Sequence, residues 1–218
     1  MTSFLCLRKA PHFYQSLHCF RKLHQRHSDR PARDITSPAT QFIQQLKKNQ
    51  VENINFKYDN HNRVIVYTDG CCFNNNTKDE TRRRSGIGVY WGDQDHPLNL
   101  SVPIYDTVRT SNRAELIAAH AAVLIAVQMK LPLLCLRLDS MYVKNGCERW
   151  LHRWKANSWL TTNGTQVKNQ DLWKSFMKDL AKVQVKFEKV NDGSSDGQKN
   201  AHELANIGAS LIGNSAAL

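Results

Sequence analysis

From residue 63 onward the spacing of apolar side chains switches between two rhythms. Val64, Ile65, Val66 and Tyr67 form an unbroken β-branched and aromatic run, which fits a central strand covered on both faces. Asp69 follows where that strand is expected to leave the sheet, and Gly70 is expected to turn the chain. A polar connection over residues 73–85, rich in Asn and Arg, leads to predicted strands over 86–92 and 98–104. The short polar links between them imply an antiparallel meander. The rhythm then changes. Residues 114–129 are rich in Ala and Leu, with Ile117, His120 or Ala121, Leu124 and Ile125 spaced as one buried helical stripe. Ser111 or Asn112 is placed to cap that helix, and Pro132 follows its end. Residues 133–138 make a fourth apolar strand that closes at Asp139. Helical patterns over 141–154 and 169–182 flank a loop containing Asn163 and Gly164, residues 183–190 alternate as a fifth strand, and a last helix begins near Gln198. This order specifies a mixed α/β sheet whose later strands run parallel.

Upstream the pattern differs. Residues 1–28 contain no Asp or Glu, yet carry Arg8, Lys9, Arg21, Lys22 and Arg26 among Phe4, Leu5, Phe13, Leu17, Phe20 and Leu23. Such an acid-free, arginine-containing amphipathic start resembles a mitochondrial transit peptide, whereas a secretory signal needs a continuous apolar core. The alternative is a basic tail that helps hold nucleic acid. The chain therefore divides into a basic segment at 1–33, a polar linker at 34–61, a folded domain at 62–212 and a tail at 213–218.

Composition adds two constraints. The net charge of +11, from 30 Lys and Arg against 19 Asp and Glu, favours a polyanionic partner. From Lys144 to Lys189 ten basic residues stand against four acids, so part of the excess belongs to the folded domain. No run approaches the roughly 18 apolar residues that span a bilayer, and a soluble monomer is expected. The six cysteines include no C-x-x-C pair, and neighbours Cys71 and Cys72 cannot form an ordinary disulfide with each other. A reducing compartment is expected, and a cysteine zinc site has little support.

Candidate chemistry rests on acids at strand ends. Asp69 and Asp139 each follow an apolar strand, and Glu115 lies in the first turn of the long helix. If strands one and four are neighbours, their ends meet at one edge of the sheet and Glu115 can join them. Three carboxylates so close repel one another at low dielectric, and hard divalent cations relieve the repulsion. Taken one at a time, each acid could equally be a turn or helix cap.

The stretches YTDGCC, GIGVYWG followed by HPLN, TSNRAELIAA, LDSMYVKNG, the tryptophan series from Trp150 to Trp159 and VKNQDLW resemble the catalytic domain of eukaryotic type 1 ribonucleases H, in that family's motif order. The resemblance covers about residues 62–212. It implies a ribonuclease H-like α/β fold, a five-stranded mixed sheet with helices on both faces. It implies an endonuclease that hydrolyses the RNA strand of RNA/DNA hybrids with two Mg²⁺ ions. Asp69, Glu115 and Asp139 match three of the four metal-binding acids. His202 occupies the fourth position, normally Asp, and the loop before it lacks the family's histidine. By formal charge, three acids and the scissile phosphate supply about −4 against roughly +4 from two divalent ions, so the site stays balanced once substrate is bound. Imidazole suits Mn²⁺ better than Mg²⁺. Glu203 points about 100° away around the helix and is a poor substitute. Weakened hydrolysis is expected, with a catalytically impaired hybrid-binding protein as the alternative.

The same resemblance places Tyr142, Trp150, Trp154 and Thr162 along a channel for the DNA strand. It gives Thr110 and Asn169 to a phosphate pocket, and Asn75, Ser111 and Asn112 to the RNA 2′-hydroxyls. Trp150 and Trp154 lie four apart among Arg149, His152, Arg153 and Lys155, which argues for a half-exposed face, while Trp159 is expected to be structural.

Overall fold

The computed structural model of the protein describes residues 54–191 and 195–212. The expected transit segment and most of the expected linker lie outside the described residues. β1 (Val64–Phe73), β2 (Arg84–Tyr90) and β3 (Leu100–Ile104) form the antiparallel meander, and β4 (Leu133–Leu138) and β5 (Gln184–Lys189) add in parallel. The order across the sheet is β3-β2-β1-β4-β5. No described helix is long and apolar enough to cross a membrane.

β1 is longer than its apolar run suggests, and this corrects the expected position of Asp69. The strand does not end there: Asp69 pairs with Gly88 of β2, and pairing continues to Phe73 opposite Arg84. What ends is β4, whose register with β1 stops at Thr68 opposite Leu138. Asp69 is therefore inside a strand on one flank and past the end of its neighbour on the other. Gly70 makes no turn. A Cβ there would come within 2.2 Å of Ala114 C and Glu115 N, so the missing side chain lets the N-terminus of the long helix press against the strand. Strand residues on alternate sides also separate the two neighbouring cysteines. Cys71 bonds Ala205 O of the helix packed on its own face of the sheet, and neither thiol is in a disulfide among the described residues.

The long helix, α1 (Ser111–Gln128), is capped by Thr110, whose Oγ1 accepts from Arg113 N at 3.3 Å, and not by Ser111 or Asn112. Its buried surface is wider than the predicted stripe. Ala114, Leu116, Ala118, Ala122, Val123, Ile125 and Ala126 are all inaccessible, because the sheet covers one side and α4 (Gln170–Leu180) the other. Alanine at so many positions permits this close double packing. On the opposite face of the sheet, α5 (Asp196–Ser210) crosses β2, β1 and β3. Gly88 admits it there, since a Cβ would sit 2.0 Å from Ala201 O.

The helical pattern over 141–154 resolves into α2 (Met141–Asn145), a π-helical turn (Gly146–Trp150) and α3 (Leu151–Ala156). The wide turn forms over the Trp173 ring, which leaves no room for a side chain on Gly146. The domain also starts earlier than polarity suggests. Ile54 and Phe56 pack on the core, Phe56 lies edge-on to Trp91 at 5.7 Å, and Ile65 N donates to Lys57 O.

Candidate active site

Three elements bring the acids to one edge. β1 carries Asp69, the residue after β4 is Asp139, and the first turns of α1, seated on Gly70, carry Glu115. Asp69 is 6% exposed, and its Oδ1 accepts from Gly70 N at 2.8 Å. Glu115 is half-buried, and its carboxyl is pushed above the ordinary value, first by burial and then by the charges of Asp139 and Asp69. Glu115 thus feels the charges of both other acids. The Ser140 hydroxyl donates to Glu115 Oε2 and also accepts from Val143 N, capping α2. One buried serine so links the acid on α1 to the turn that follows Asp139.

His202, on the exposed side of α5, places Nδ1 2.6 Å from Asp69 Oδ2. Glu203, its neighbour, is exposed. Gln198, one turn earlier, is fully buried and donates from Nε2 to Thr68 O at 3.4 Å, pinning α5 beside Asp69. The donor set suits a hard divalent ion by kind and by charge. Among the described residues, though, no three His, Cys, Asp or Glu side chains stand grouped as a ready-made ion cage. One oxygen of Asp69 already faces His202, and one of Glu115 already accepts from Ser140.

The residues expected to touch nucleic acid fall into two groups. Asn75, in the connection after β1, accepts at Oδ1 from Ser111 N at 3.3 Å, and Asn112 is exposed beside them. Thr110 and Asn169 meet through Arg113, which takes the Thr110 cap at its backbone and donates from Nη1 to Asn169 Oδ1 at 3.3 Å. Tyr142 joins the same network: its hydroxyl accepts from Asn169 Nδ2 at 3.1 Å and from Trp173 Nε1 at 2.9 Å. Trp150 and Trp154 are half-buried with ring centroids 5.5 Å apart, Trp159 is buried, and Thr162 is exposed.

Sequence spacing does not reveal Arg113 or Ser140. Arg113 is buried between Asp106 and Asp171, at 2.6 Å and 2.7 Å, and it holds the Asp171 carboxyl below the ordinary range. A cation in the first turn of a helix opposes the macrodipole, and that misfit is the one sign of a special role. Ser140 follows Asp139 as an ordinary cap residue, so its second bond is invisible in the chain.

A sequence profile described as RNase H matches residues 61–210. Ribonuclease H1 of Mus musculus is 44% identical over 108 residues, covering 50% of this chain and 36% of that protein. Ribonuclease H1 of Homo sapiens is 37% identical over 147 residues, covering 67% and 50%. The chain thus spans about half or less of these mammalian relatives. Ribonuclease H of Francisella tularensis subsp. novicida is 38% identical over 156 residues, covering 70% of this chain and 95% of that protein. Among solved structures, the RNase H domain of prototype foamy virus superposes with a TM-score of 0.53 at 24% identity, covering 67% of this chain and 94% of that one. LC9-RNase H1 gives 0.55 at 21%, covering 67% and 72%. Both carry the fold. Members of the family generally use divalent metal ions. With the profile spanning most of the chain and the Francisella protein matched almost end to end, this chain belongs to the RNase H family.

Proposed function

We propose that the domain hydrolyses the RNA strand of RNA/DNA hybrids by two-metal-ion catalysis. The observation behind this reading is the meeting of Asp69, Glu115 and Asp139 at one edge of the sheet. Two Mg²⁺ ions, when bound, supply the Lewis acidity that ionises a water and stabilises the leaving 3′-oxygen. The protein supplies fixed oxygens. Asp69, Glu115, Asp139 and His202 would hold the ions, with Glu115 and Asp139 serving the attacking water, His202 the leaving oxygen, and Asp69, fixed by the Gly70 amide, both. The water oxygen bonds to phosphorus as the P–O3′ bond breaks. Its proton passes to solvent, the departing 3′-oxygen takes a proton from solvent in turn, and the products are a 5′-phosphate and a 3′-hydroxyl. Mn²⁺ is the better partner for the nitrogen of His202.

Tyr142, Trp150, Trp154 and Thr162 would line the DNA strand, with Thr110 and Asn169 on one of its phosphates. Asn75, Ser111 and Asn112 would meet the RNA 2′-hydroxyls. A mitochondrial address, from the acid-free residues 1–28, and a monomeric state complete the reading. Sequencing the N-terminus of the mature protein tests the address.

The full chain is expected to cleave the RNA strand of a uniformly labelled hybrid, and Asp69→Asn to stop it. The short His202–Asp69 contact favours a second reading, a hybrid-binding protein with little hydrolysis. A wild-type chain that binds hybrid yet is inert with both Mg²⁺ and Mn²⁺ establishes that reading and removes the first.

A further inference from the structure

The connection between β1 and β2 is held to the segment before α1 by two arginines that grip each other's backbone. Arg83 Nη1 donates to Arg109 O at 3.3 Å, and Arg109 Nη1 donates to Arg83 O at 2.8 Å. Each guanidinium is also anchored at its own side. Arg83 Nη2 reaches Thr77 O at 2.7 Å and Nη1 reaches Glu80 Oε1 at 3.0 Å, while Arg109 Nε reaches Asp106 O at 3.0 Å. Asn74 Nδ2 closes the connection on Arg82 O at 3.0 Å. The Arg83 side chain is only 13% exposed, and its Nε is buried with no partner among the described residues. A surface loop that buries a charged group at such cost does so for geometry, since the exposed neighbour Arg82 would serve as a loose charge just as well.

The braced segments carry the residues read above as contacts to the RNA strand. Asn75 lies inside the connection, and Ser111 and Asn112 follow Arg109 by two and three positions. Ser111 N donates to Asn75 Oδ1 across the gap at 3.3 Å. Two planar forks pointing in opposite directions fix both the spacing and the tilt of the segments, which one bond cannot do. We infer that Arg83 and Arg109 are positioning residues for RNA-strand discrimination: they hold Asn75 against Ser111 and Asn112, without touching the nucleic acid themselves. This rests on the proposed hybrid substrate.

The test compares binding of a short RNA/DNA hybrid and a DNA duplex of the same sequence by the full chain in Ca²⁺, with cleavage rates measured in Mg²⁺ or Mn²⁺. Arg83→Met and Arg109→Met are each expected to lower the preference for hybrid about tenfold, the worth of one or two hydrogen bonds. KM should rise while kcat stays within about threefold, because the acids sit on other elements. The double variant should lose little more than either single, since each arm needs the other. Asn75→Ala should reduce the preference in the wild-type chain and not further in Arg109→Met. Where Arg83→Met fails to fold, Arg109→Met, whose bonds all go to backbone carbonyls, carries the same comparison. Arg83→Lys and Arg109→Lys keep the charge and lose the fork. If they bind hybrid as the wild type does, or if every variant weakens hybrid and duplex equally, the arginines act as phosphate charges and the inference falls. A wild type with no preference overturns both this inference and the proposed substrate. A wild-type preference that both methionine variants keep overturns the brace alone.

Discussion

At the scale of single residues, His202 has the largest consequence. It stands on α5 at the position that the family resemblance gives to a fourth acid, and its Nδ1 lies 2.6 Å from Asp69 Oδ2. On the proposed reading, His202 leaves Asp69 to serve the leaving-group side without the second carboxylate that the family resemblance gives it. His202→Asp is expected to raise hybrid hydrolysis in Mg²⁺ by tenfold or more and to shrink any advantage of Mn²⁺, as read from initial rates in the two ions. Unchanged Mg²⁺ rates would show that the fourth position does not limit the reaction. The meeting of the three acids is legible in the chain in part, because Asp69 and Asp139 each follow an apolar run, while Glu115 is signalled only by its place in the first turns of the long helix. Their surroundings are not. The hydroxyl of Ser140 on Glu115 and the buried fork of Arg113 are side-chain contacts across elements, and neither periodicity nor spacing encodes them.

At the scale of elements, the strands and helices followed from pattern to within a few residues, and the departures have physical causes. β1 outruns its first apolar run because β2 supplies partners as far as Phe73, so the ladder continues through Asp69 and Gly70. α1 is buried on more sides than a stripe because alanine lets two layers approach it. Gly70 shows how tightly the site depends on such approach. Its substitution by Ala places a methyl group against the backbone of Ala114 and Glu115, which cannot yield without moving α1. Gly70→Ala is expected to cost about 3 kcal/mol or more, as overpacking against backbone does, and to displace Glu115. Urea unfolding should show the loss, and a midpoint near wild type would mean that α1 is less firmly seated than the contact implies.

At the scale of the whole molecule, pH acts at the end of the sheet away from the acids. His96 is buried, accepts from Leu98 N at Nδ1, and meets Asn55 O at 3.0 Å through Nε2, so it is held neutral. Burial lowers it from 6.5 to about 4. A histidine depressed on folding contributes stability fully above its unfolded value, and this is lost as pH falls through its folded value. Unfolding free energy should therefore decline between pH 6.5 and about 4, by roughly 3 kcal/mol at the limit. His96→Asn, which keeps an acceptor for Leu98 N and does not titrate, should flatten that decline in urea titrations. Glu115, raised on folding, works with opposite sign just above its ordinary value, and Asp171 and Asp179, lowered by Arg113 and His120, act below it. The difference between the two proteins isolates the His96 share.

The strip from Ile54 to Lys57 that covers His96 and Trp91 also fixes where the preceding chain joins the domain. It meets β1 at Ile65, four positions before Asp69, or about 13 Å along the strand. Anything tethered ahead of Ile54 is therefore anchored at the pole remote from the carboxylates. To influence a substrate there, it must span the height of the sheet, which makes tether length and stiffness its controlling variables.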